Sequence, residues 1–433
     1  MTNSLVSTGW EHQLEIWVIT IDKKMQVYSK YINHYLLIIF IFSVIFLIEK
    51  HDVGNDSTIS EWIINYQGGF TKRGIVGQMS IIFSDLLNIS LRKSILVLQI
   101  ITLGIYYIFI KKILTNIKLN RIIIFSIFSP IFILYPVAEV EVLARKEYFI
   151  FIFYLIYLFT NIDKYKDLYR LLILPISVLI WEPVIFFFPF WFLVDLLNNK
   201  KEISLKFFLV SIIKYVPALL VGLYIATHPI SDINHMKMVI FLKEQFNERC
   251  YMSCDLLLHK SSIKDQFDAV FSHLSFEVLI RYFAILLIGF LPLLILISYI
   301  NTKRSTKILA TSFVSAPIIV LFLMMTDWGR VVNMFYTFSI LTFLYLYKNR
   351  IITLNNRITK NFFFLILQQK KYFIFLFILF AFSWNPKTSM TGDIATNPLW
   401  KVPYNASKRL FGFDSFRILQ DSPISIWHEK FIE

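Results

Sequence analysis

Residues 65–74 read Asn-Tyr-Gln-Gly-Gly-Phe-Thr-Lys-Arg-Gly, and they lead into an apolar segment, residues 75–89, whose placement decides the topology of the chain. Of the 12 glycines in the protein, four lie here: Gly68, Gly69, Gly74 and Gly77. Glycine tolerates strained conformations and close approach, so Gly68-Gly69 followed by Lys72-Arg73 predicts a turn that presents charge. Such a turn could hold a phosphate, or it could simply lay both cations on lipid headgroups.

The composition indicates a membrane protein. The 433 residues are 57% hydrophobic and 17% charged, against about 25% charged residues in soluble proteins. Apolar runs recur between short basic segments, which is typical of an all-α, polytopic helical membrane protein. The first apolar run begins near Tyr35 and no small-residue cleavage site follows it, so we expect it to remain as an anchor rather than to be removed as a signal peptide.

Several classes of partner are not expected. The net charge is +14, but the cations lie in short clusters between apolar runs, as topology signals do, so no nucleic acid partner is predicted. Histidines at metal-ligand spacing, a phosphate-binding P-loop and a dinucleotide fingerprint are all missing from the sequence, so neither a metal nor another cofactor is predicted. Two cysteines exclude a disulfide framework. Cys250 and Cys254 would suit one disulfide on an outer face, provided that a turn separates them.

The distribution of Lys and Arg predicts a topology. With residues 75–89 taken as an interfacial or re-entrant helix, most basic clusters fall inside, whereas a span there would move them outside. The result is about eleven membrane segments with the N-terminus in and the C-terminus out. They are 35–48, 94–110, 122–135, 148–160, the two legs of a re-entrant-like hairpin at 171–197, then 207–227, 279–300, 308–326, 331–347 and 372–384. Around this transmembrane domain (35–384) lie a cytoplasmic lead-in (1–34), outer loops at 49–93 and 228–277, and an outer tail (385–433).

This topology gathers the unusual polar groups on the outer side. They are Lys72 and Arg73, the Glu139–Glu147 cluster with Arg145, Glu182 at the hairpin tip, and Asp327 with Arg330. Ionisable groups at membrane depth are costly and usually face a cavity or a partner. Each group also has a structural alternative. The Glu139–Glu147 cluster could be a solvated loop, Glu182 could pair with an outer arginine, and Asp327 with Arg330 could cap a helix.

Three motifs carry a resemblance to a known class of protein. Gly-Gly-Phe-Thr-Lys-Arg-Gly follows the first span, Ala-Arg-Lys-Glu (144–147) precedes a middle one, and Asp-Trp-Gly-Arg (327–330) marks a late one. With this layout the chain resembles polytopic proteins of bacterial surface-polysaccharide clusters. Two classes fit: O-antigen or capsule polymerases, which use repeat units on undecaprenyl pyrophosphate, and GT-C-type glycosyltransferases, which use a polyprenyl-phosphate sugar. Asp52, Asp56 and Glu61 suit the second class, although the metal-binding Asp-Asp or Asp-x-Asp doublet is missing.

The resemblance implies an enzyme of the inner membrane whose site faces the periplasm. Its phosphate-binding residues would be Gly68, Gly69, Lys72, Arg73, Arg145 and Arg330. Glu182 is the first choice for general base, and Glu147 and Asp327 follow it. The implied partners are a polyprenyl-phosphate-linked or polyprenyl-pyrophosphate-linked saccharide, the bilayer, and a chain-length regulator or other polysaccharide-assembly proteins. A transporter or flippase of lipid-linked saccharides is the alternative from another class, and it predicts charges along a path through the bilayer and an internal repeat.

Overall fold

The computed structural model describes residues 30–51, 57–160, 162–198, 205–258, 263–355 and 369–392, with the isolated positions 366 and 403. In this part of the chain every extended regular element is a helix, and the one β feature is an isolated bridge between Ile300 and Leu354. The prediction of an all-helical protein is therefore confirmed.

The helices, in chain order, begin with α1 (Lys30–His51), α2 (Ser57–Ser60), α3 (Gly74–Leu87), α4 (Leu91–Leu114), α5 (Arg121–Ile127), α6 (Tyr135–Ala138), α7 (Glu147–Phe159), α8 (Asp163–Leu168), α9 (Leu174–Ile180) and α10 (Phe188–Asn198). They continue as α11 (Leu205–Ile213), α12 (Val216–Thr227), α13 (Asp232–Phe246), α14 (Met252–Asp255), α15 (Ile263–His273), α16 (Phe276–Ser298), α17 (Arg304–Met324), α18 (Trp328–Lys348) and α19 (Lys370–Phe382). Short 3₁₀ segments cover Val140–Val142 and Glu182–Phe187, and a π-helical turn covers Tyr169–Ile173.

Four helices in the described residues are long and apolar enough to cross a membrane: α1, α4, α16 and α17. The pair α12 and α13 would make a fifth if it counted as one span, but it is bent by 95°. Length and composition thus support a helical membrane protein. The number of eleven segments and their direction stay predictions.

One predicted segment needs correction, and one predicted loop contains helices. Within residues 122–135 the first helix ends at Ile127, since Pro130 has no N–H to give to an α-helical ladder, and the chain continues as turns until α6 begins at Tyr135. The predicted outer loop 228–277 is largely helical and contains α13, α14 and α15. The Ser231 side chain starts α13 by accepting a hydrogen bond from the Asn234 N–H at 3.2 Å, a regular N-cap.

The segment predicted as a hairpin at 171–197 is broken at its predicted tip, and its path through a membrane stays a prediction. Helix α9 ends at Ile180, Trp181 has an extended backbone (φ −157°, ψ 100°), and the 3₁₀ segment begins at Glu182. Pro183 fits this segment, since a proline tolerates only the first turn of a helix. The break places Glu182 at the end of α9 rather than on its side.

Helix α18 is the centre of the packing. It contacts α4, α7, α10, α16 and α17, and its buried residues include Tyr336 and Phe338. The Phe338 ring contacts the rings of Phe151, Tyr154, Phe187, Phe190 and Trp191. The first turn of α18 carries Arg330, so this central helix fixes the position of one candidate site residue.

Candidate functional site: an ionic cluster beside an amphipathic cavity

Nine ionisable side chains from separate parts of the chain come together into one group, which we call the ionic cluster. It consists of Glu61, Lys72, Arg73, Arg145, Lys146, Glu147, Glu182, Asp327 and Arg330. Seven of the nine predicted site residues belong to this cluster, although their positions in the sequence range from 72 to 330. The remaining two, Gly68 and Gly69, lie elsewhere.

The outer part of the ionic cluster is formed by Lys72, Arg73 and Glu182. Arg73 donates from Nε to Glu182 Oε2 and from Nη2 to Glu182 Oε1, both at 2.8 Å, in a bidentate pair. Lys72 Nζ lies 3.8 Å from the same carboxylate, and its side chain is 44% exposed. The single carboxylate therefore faces two cations, one of which reaches solvent.

The inner part is centred on Glu61, whose side chain is 1% exposed. Glu61 Oε1 accepts a 2.5 Å hydrogen bond from Arg145 Nη2 and lies 3.9 Å from Arg73 Nη1. Arg330 Nη1 is 4.0 Å from the same oxygen. Burial by itself would raise the pKa of Glu61, but the guanidinium groups of Arg145 and Arg330 outweigh it and hold the pKa well below its usual range. Glu61 is thus a fixed anion at the core of the cluster.

Arg330, in the first turn of α18, is the remaining cation of the inner part of the cluster. Its Nε lies 2.8 Å from Glu147 Oε1, and its Nη1 lies 3.1 Å from Asp327 Oδ2. The guanidinium also sits over the ring of Trp181, 5.7 Å from the centroid. Arg330 and Glu147 are both buried, whereas about a third of the Asp327 side chain is exposed.

Lys146 connects the motifs through a backbone contact. Its Nζ donates at 2.5 Å to the carbonyl oxygen of Arg73, and its side chain is completely buried. Arg73 and Ala144 both have left-handed backbones, with φ values of 63° and 52°, which is uncommon for non-glycine residues. Burial lowers the pKa of Lys146 to about 7, and the Arg73 charge acts in the same direction, although Glu61 opposes it.

The loop that carries Glu61 is held by short hydrogen bonds. The Trp62 indole Nε1 donates to the Ala144 carbonyl at 3.0 Å, so this loop and the Ala-Arg-Lys-Glu motif are tied together. Asn65 Oδ1 accepts from the Gln67 N–H at 2.9 Å, a side-chain-closed turn just before the glycines. These bonds hold the first loop against the Ala-Arg-Lys-Glu motif (144–147), which lies at the start of α7.

Gly68 and Gly69 serve a packing contact with α13. A Cβ on Gly68 would lie 1.9 Å from the Asn234 carbonyl oxygen, and Gly69 has a φ of 112°, so neither position accepts a side chain without a shift. The Gly69 N–H is already bonded to the Tyr66 carbonyl at 2.9 Å. Neither glycine occurs among the described residues that line the neighbouring cavity. Close packing against α13, and not the binding of an anion, therefore explains why glycines occupy these two positions.

A cavity of about 740 Å³ opens beside the outer part of the ionic cluster. Its lining includes the charged side chains of Lys72, Arg73 and Glu182. Much of the remaining lining is apolar, with Phe186, Ile225, Leu321, Met324 and Met325 among its residues. The cavity is therefore amphipathic, with room for a ligand that combines an anionic group and a hydrocarbon part.

Two members of the cluster were not among the predicted site residues. In the sequence Glu61 is one of several acidic residues of the first loop, and Lys146 is part of the Ala-Arg-Lys-Glu motif. Contacts between distant segments, such as the Trp62 hydrogen bond to the Ala144 carbonyl, bring them together, and periodicity does not reveal such contacts. A buried Glu61 is also the reason that three arginines can converge, since a low-dielectric site tolerates charges only when they are paired.

Cys250 and Cys254 form a disulfide, with their Cα atoms 5.2 Å apart. The one-turn helix α14 starts between them and supplies the required turn. His235 Nε2 lies 3.5 Å from Cys250 Sγ and 3.2 Å from the Cys254 carbonyl. The disulfide thus closes a short loop, and the two contacts of His235 hold this loop against α13, the helix that covers Gly68.

Comparison of the chain with protein-family models, with curated proteins and with solved structures gave no match.

Proposed function

We propose that this chain transfers a lipid-linked saccharide at the periplasmic face of a bacterial inner membrane, and that it polymerises repeat units carried on undecaprenyl pyrophosphate. The observation that carries the proposal is that Lys72, Arg73 and Glu182 line a cavity whose other lining residues are largely apolar. A lipid-linked saccharide has the matching chemistry, since its phosphates are anionic and its carrier is hydrocarbon. The eleven-segment topology, with the N-terminus inside, belongs to this proposal.

Lys72 and Arg73 are the residues proposed to bind the phosphate. Both lie at the cavity, and Arg73 has the planar fork that suits phosphate oxygens. Arg145 and Arg330 are buried behind them, so they would act on the leaving group through their field rather than by direct contact. They would also hold Glu61 and Glu147 in place.

Glu182 would become the general base when phosphate takes Arg73 away from it. In the bidentate pair the carboxylate is held in its charged form by the guanidinium, which makes it a poor base. A bound phosphate would compete for Arg73 and free the carboxylate. The acceptor hydroxyl oxygen then attacks the anomeric carbon, its proton passes to Glu182, the glycosyl–phosphate bond breaks and the lipid pyrophosphate leaves. Glu147 and Asp327 are the reserve candidates, and of these Asp327 is the more exposed.

One observation favours a GT-C-type glycosyltransferase as the second candidate function. That class relies on acidic residues of its first outer loop, and Glu61 of the first loop lies at the centre of the ionic cluster. Burial argues against a direct role for Glu61 with an acceptor, since its side chain is 1% exposed. Under this alternative the donor would be a polyprenyl-phosphate sugar with a single phosphate.

The test is the surface polysaccharide made by cells that depend on this chain. Lys72→Ala and Glu182→Ala would be compared with Lys303→Ala, an exposed cation at the start of α17. Loss of long chains with single repeat units retained is the expected result for a polymerase. Loss of one side-branch sugar at normal chain length would favour the glycosyltransferase. Lipid-linked units trapped on the cytoplasmic face would indicate a flippase, and unchanged polysaccharide in both variants would contradict any transfer role.

A further inference from the structure

Helix α13 exposes a row of apolar side chains along one face. Ile233, Met236 and Ile240 are 70%, 58% and 45% exposed, and their spacing places them on the same side of the helix. Lys237 and Lys243 are also exposed and lie on the two edges of this row, and the exposed Glu244, one turn after Ile240, ends it. An apolar stripe with a lysine on each flank is typical of a helix that lies in a membrane interface.

The opposite face of α13 is attached to the protein. His235, Met238 and Leu242 are buried, and the His235 ring reaches the Cys254 carbonyl. In the described structure α13 therefore packs on the protein through one face and exposes the other.

The direction of α13 relative to α12 indicates what covers the row. Helix α12 is apolar, and Leu220, Leu223 and Tyr224 are exposed on it as lipid-facing side chains would be. After a short break the chain turns by 95° into α13. If α12 runs along the bilayer normal, a helix at a right angle to it runs in the membrane plane. The exposed apolar surface then continues from α12 onto α13.

We propose that α13 is an interfacial helix that lies on the bilayer, with Ile233, Met236 and Ile240 among the upper acyl chains. The Lys237 and Lys243 ammonium groups would reach the lipid phosphates, as long cationic side chains do at membrane boundaries. The ligand of this surface is a phospholipid headgroup layer. The inference does not depend on the proposed transfer reaction.

An interfacial α13 would set the depth of the glycine turn. The Asn234 carbonyl oxygen lies against Gly68, and the turn continues directly to Lys72 and Arg73. A helix fixed at the bilayer surface therefore holds these two cations near the level of the lipid phosphates. This gives Gly68 a physical role that does not require it to bind an anion.

Spin-label depth measurements on the full chain in lipid nanodiscs test the proposal. Single cysteines at Ile233, Met236 and Ile240 would be labelled without reductant, so that the native disulfide stays intact. Leu220→Cys and Leu223→Cys give depths within α12, and Arg249→Cys, an exposed position, gives an aqueous reference. Collisions with oxygen report the hydrocarbon, and collisions with a water-soluble nickel chelate report the aqueous phase.

The expected result is one shared, shallow depth for the three α13 labels, with more oxygen collisions than at Arg249→Cys. The additional changes Lys237→Glu and Lys243→Glu should move these labels outward in nanodiscs that contain phosphatidylglycerol. A depth that changes by about 10 Å from Ile233 to Ile240, at 1.5 Å per residue, would show the second half of a broken span and overturn the proposal. Labels that meet the nickel chelate as freely as Arg249→Cys, or that meet neither reagent because a protein covers them, would also overturn it.

Discussion

Arg73 and Glu182 form a bidentate ion pair across 109 positions of sequence, with both hydrogen bonds at 2.8 Å. The pair joins the first loop to the break after α9 and lies on the wall of the cavity. We propose that Arg73 binds phosphate, and the Glu182 carboxylate already occupies its guanidinium. Glu182 and a phosphate therefore compete for the same cation. The pair is therefore the point at which binding and proton transfer would be coupled.

Removal of the Glu182 charge should strengthen anion binding while it weakens transfer. In Glu182→Gln, Lys72 and Arg73 lose their nearest anion, so pyrophosphate should bind about fivefold more tightly, as expected for a partly exposed pair worth roughly 1 kcal/mol. Transfer should fall by about 10²-fold or more, because a general base is lost. Calorimetric titration of the protein in nanodiscs measures the first effect. Asp85→Asn, at an exposed position of α3, is the control, and weaker pyrophosphate binding by Glu182→Gln would argue against the competition.

Neutralisation of Glu61 should destabilise the whole chain. Glu61→Gln leaves Arg145, Arg73 and Arg330 near an uncharged amide in a buried site, so we expect a loss of about 3–5 kcal/mol. Thermal unfolding in detergent gives the measurement. Glu277→Gln removes a pair with Arg281 in which the carboxylate is exposed, and it should cost less than about 1 kcal/mol. Equal stability of the two variants would mean that Glu61 does not anchor the cluster.

Gly68→Ala should disturb the packing of α13 against the glycine turn. Its new methyl group would lie 1.9 Å from the Asn234 carbonyl oxygen, so the backbone of α13 must shift, at a cost of about 1–3 kcal/mol. Gly104→Ala is the matched control, since its methyl group would lie 3.8 Å from the Phe40 ring and alanine favours a helix over glycine. Hydrogen exchange of residues 232–246 should rise in Gly68→Ala alone. Similar exchange in both variants would show that the contact is not needed.

Lys146 should make stability depend on pH above neutrality. Its pKa is about 7 in the folded chain and about 10.4 when exposed, so between these values the unfolded chain binds a proton that the folded chain does not. Stability therefore rises with pH in this window, by at most roughly 1.4 kcal/mol per pH unit, and Lys146→Met should lack this rise. Melting curves from pH 7 to pH 9 would show the difference, and parallel curves for the two proteins would contradict the lowered pKa.

The sequence predicts those features that the free-energy cost of burying charged groups requires. Lys72, Arg73, Arg145, Glu147, Glu182, Asp327 and Arg330 were predicted to lie together because charges among apolar segments must be paired, and the structure places them in one cluster. The break at Trp181 was visible from Glu182-Pro183. The helical character of the chain followed from its apolar runs.

Other features depend on contacts that no single-chain pattern contains. The sequence predicts an anion-binding turn at Gly68 because nothing in it shows that α13 lies over this glycine. Residues 228–277 are predicted as an outer loop, and the helices within it are not visible in the sequence because the exposed and buried faces of α13 both carry apolar side chains, which hides the helical period. Glu61 lies beside the Ala-Arg-Lys-Glu motif in a loop that a long-range contact, the Trp62 hydrogen bond to the Ala144 carbonyl, ties to that motif.

The most direct test of the central claim is the dissociation constant of a polyprenyl pyrophosphate for the chain in nanodiscs. Lys72 is the most exposed cation of the cluster, and Lys72→Ala leaves the buried pairs intact, so the variant should fold. Loss of one charge-assisted contact of about 1.4 kcal/mol predicts binding that is roughly tenfold weaker, with Lys303→Ala unchanged. Equal affinity of the native chain and Lys72→Ala would contradict the claim that this cluster binds the phosphate of a lipid carrier.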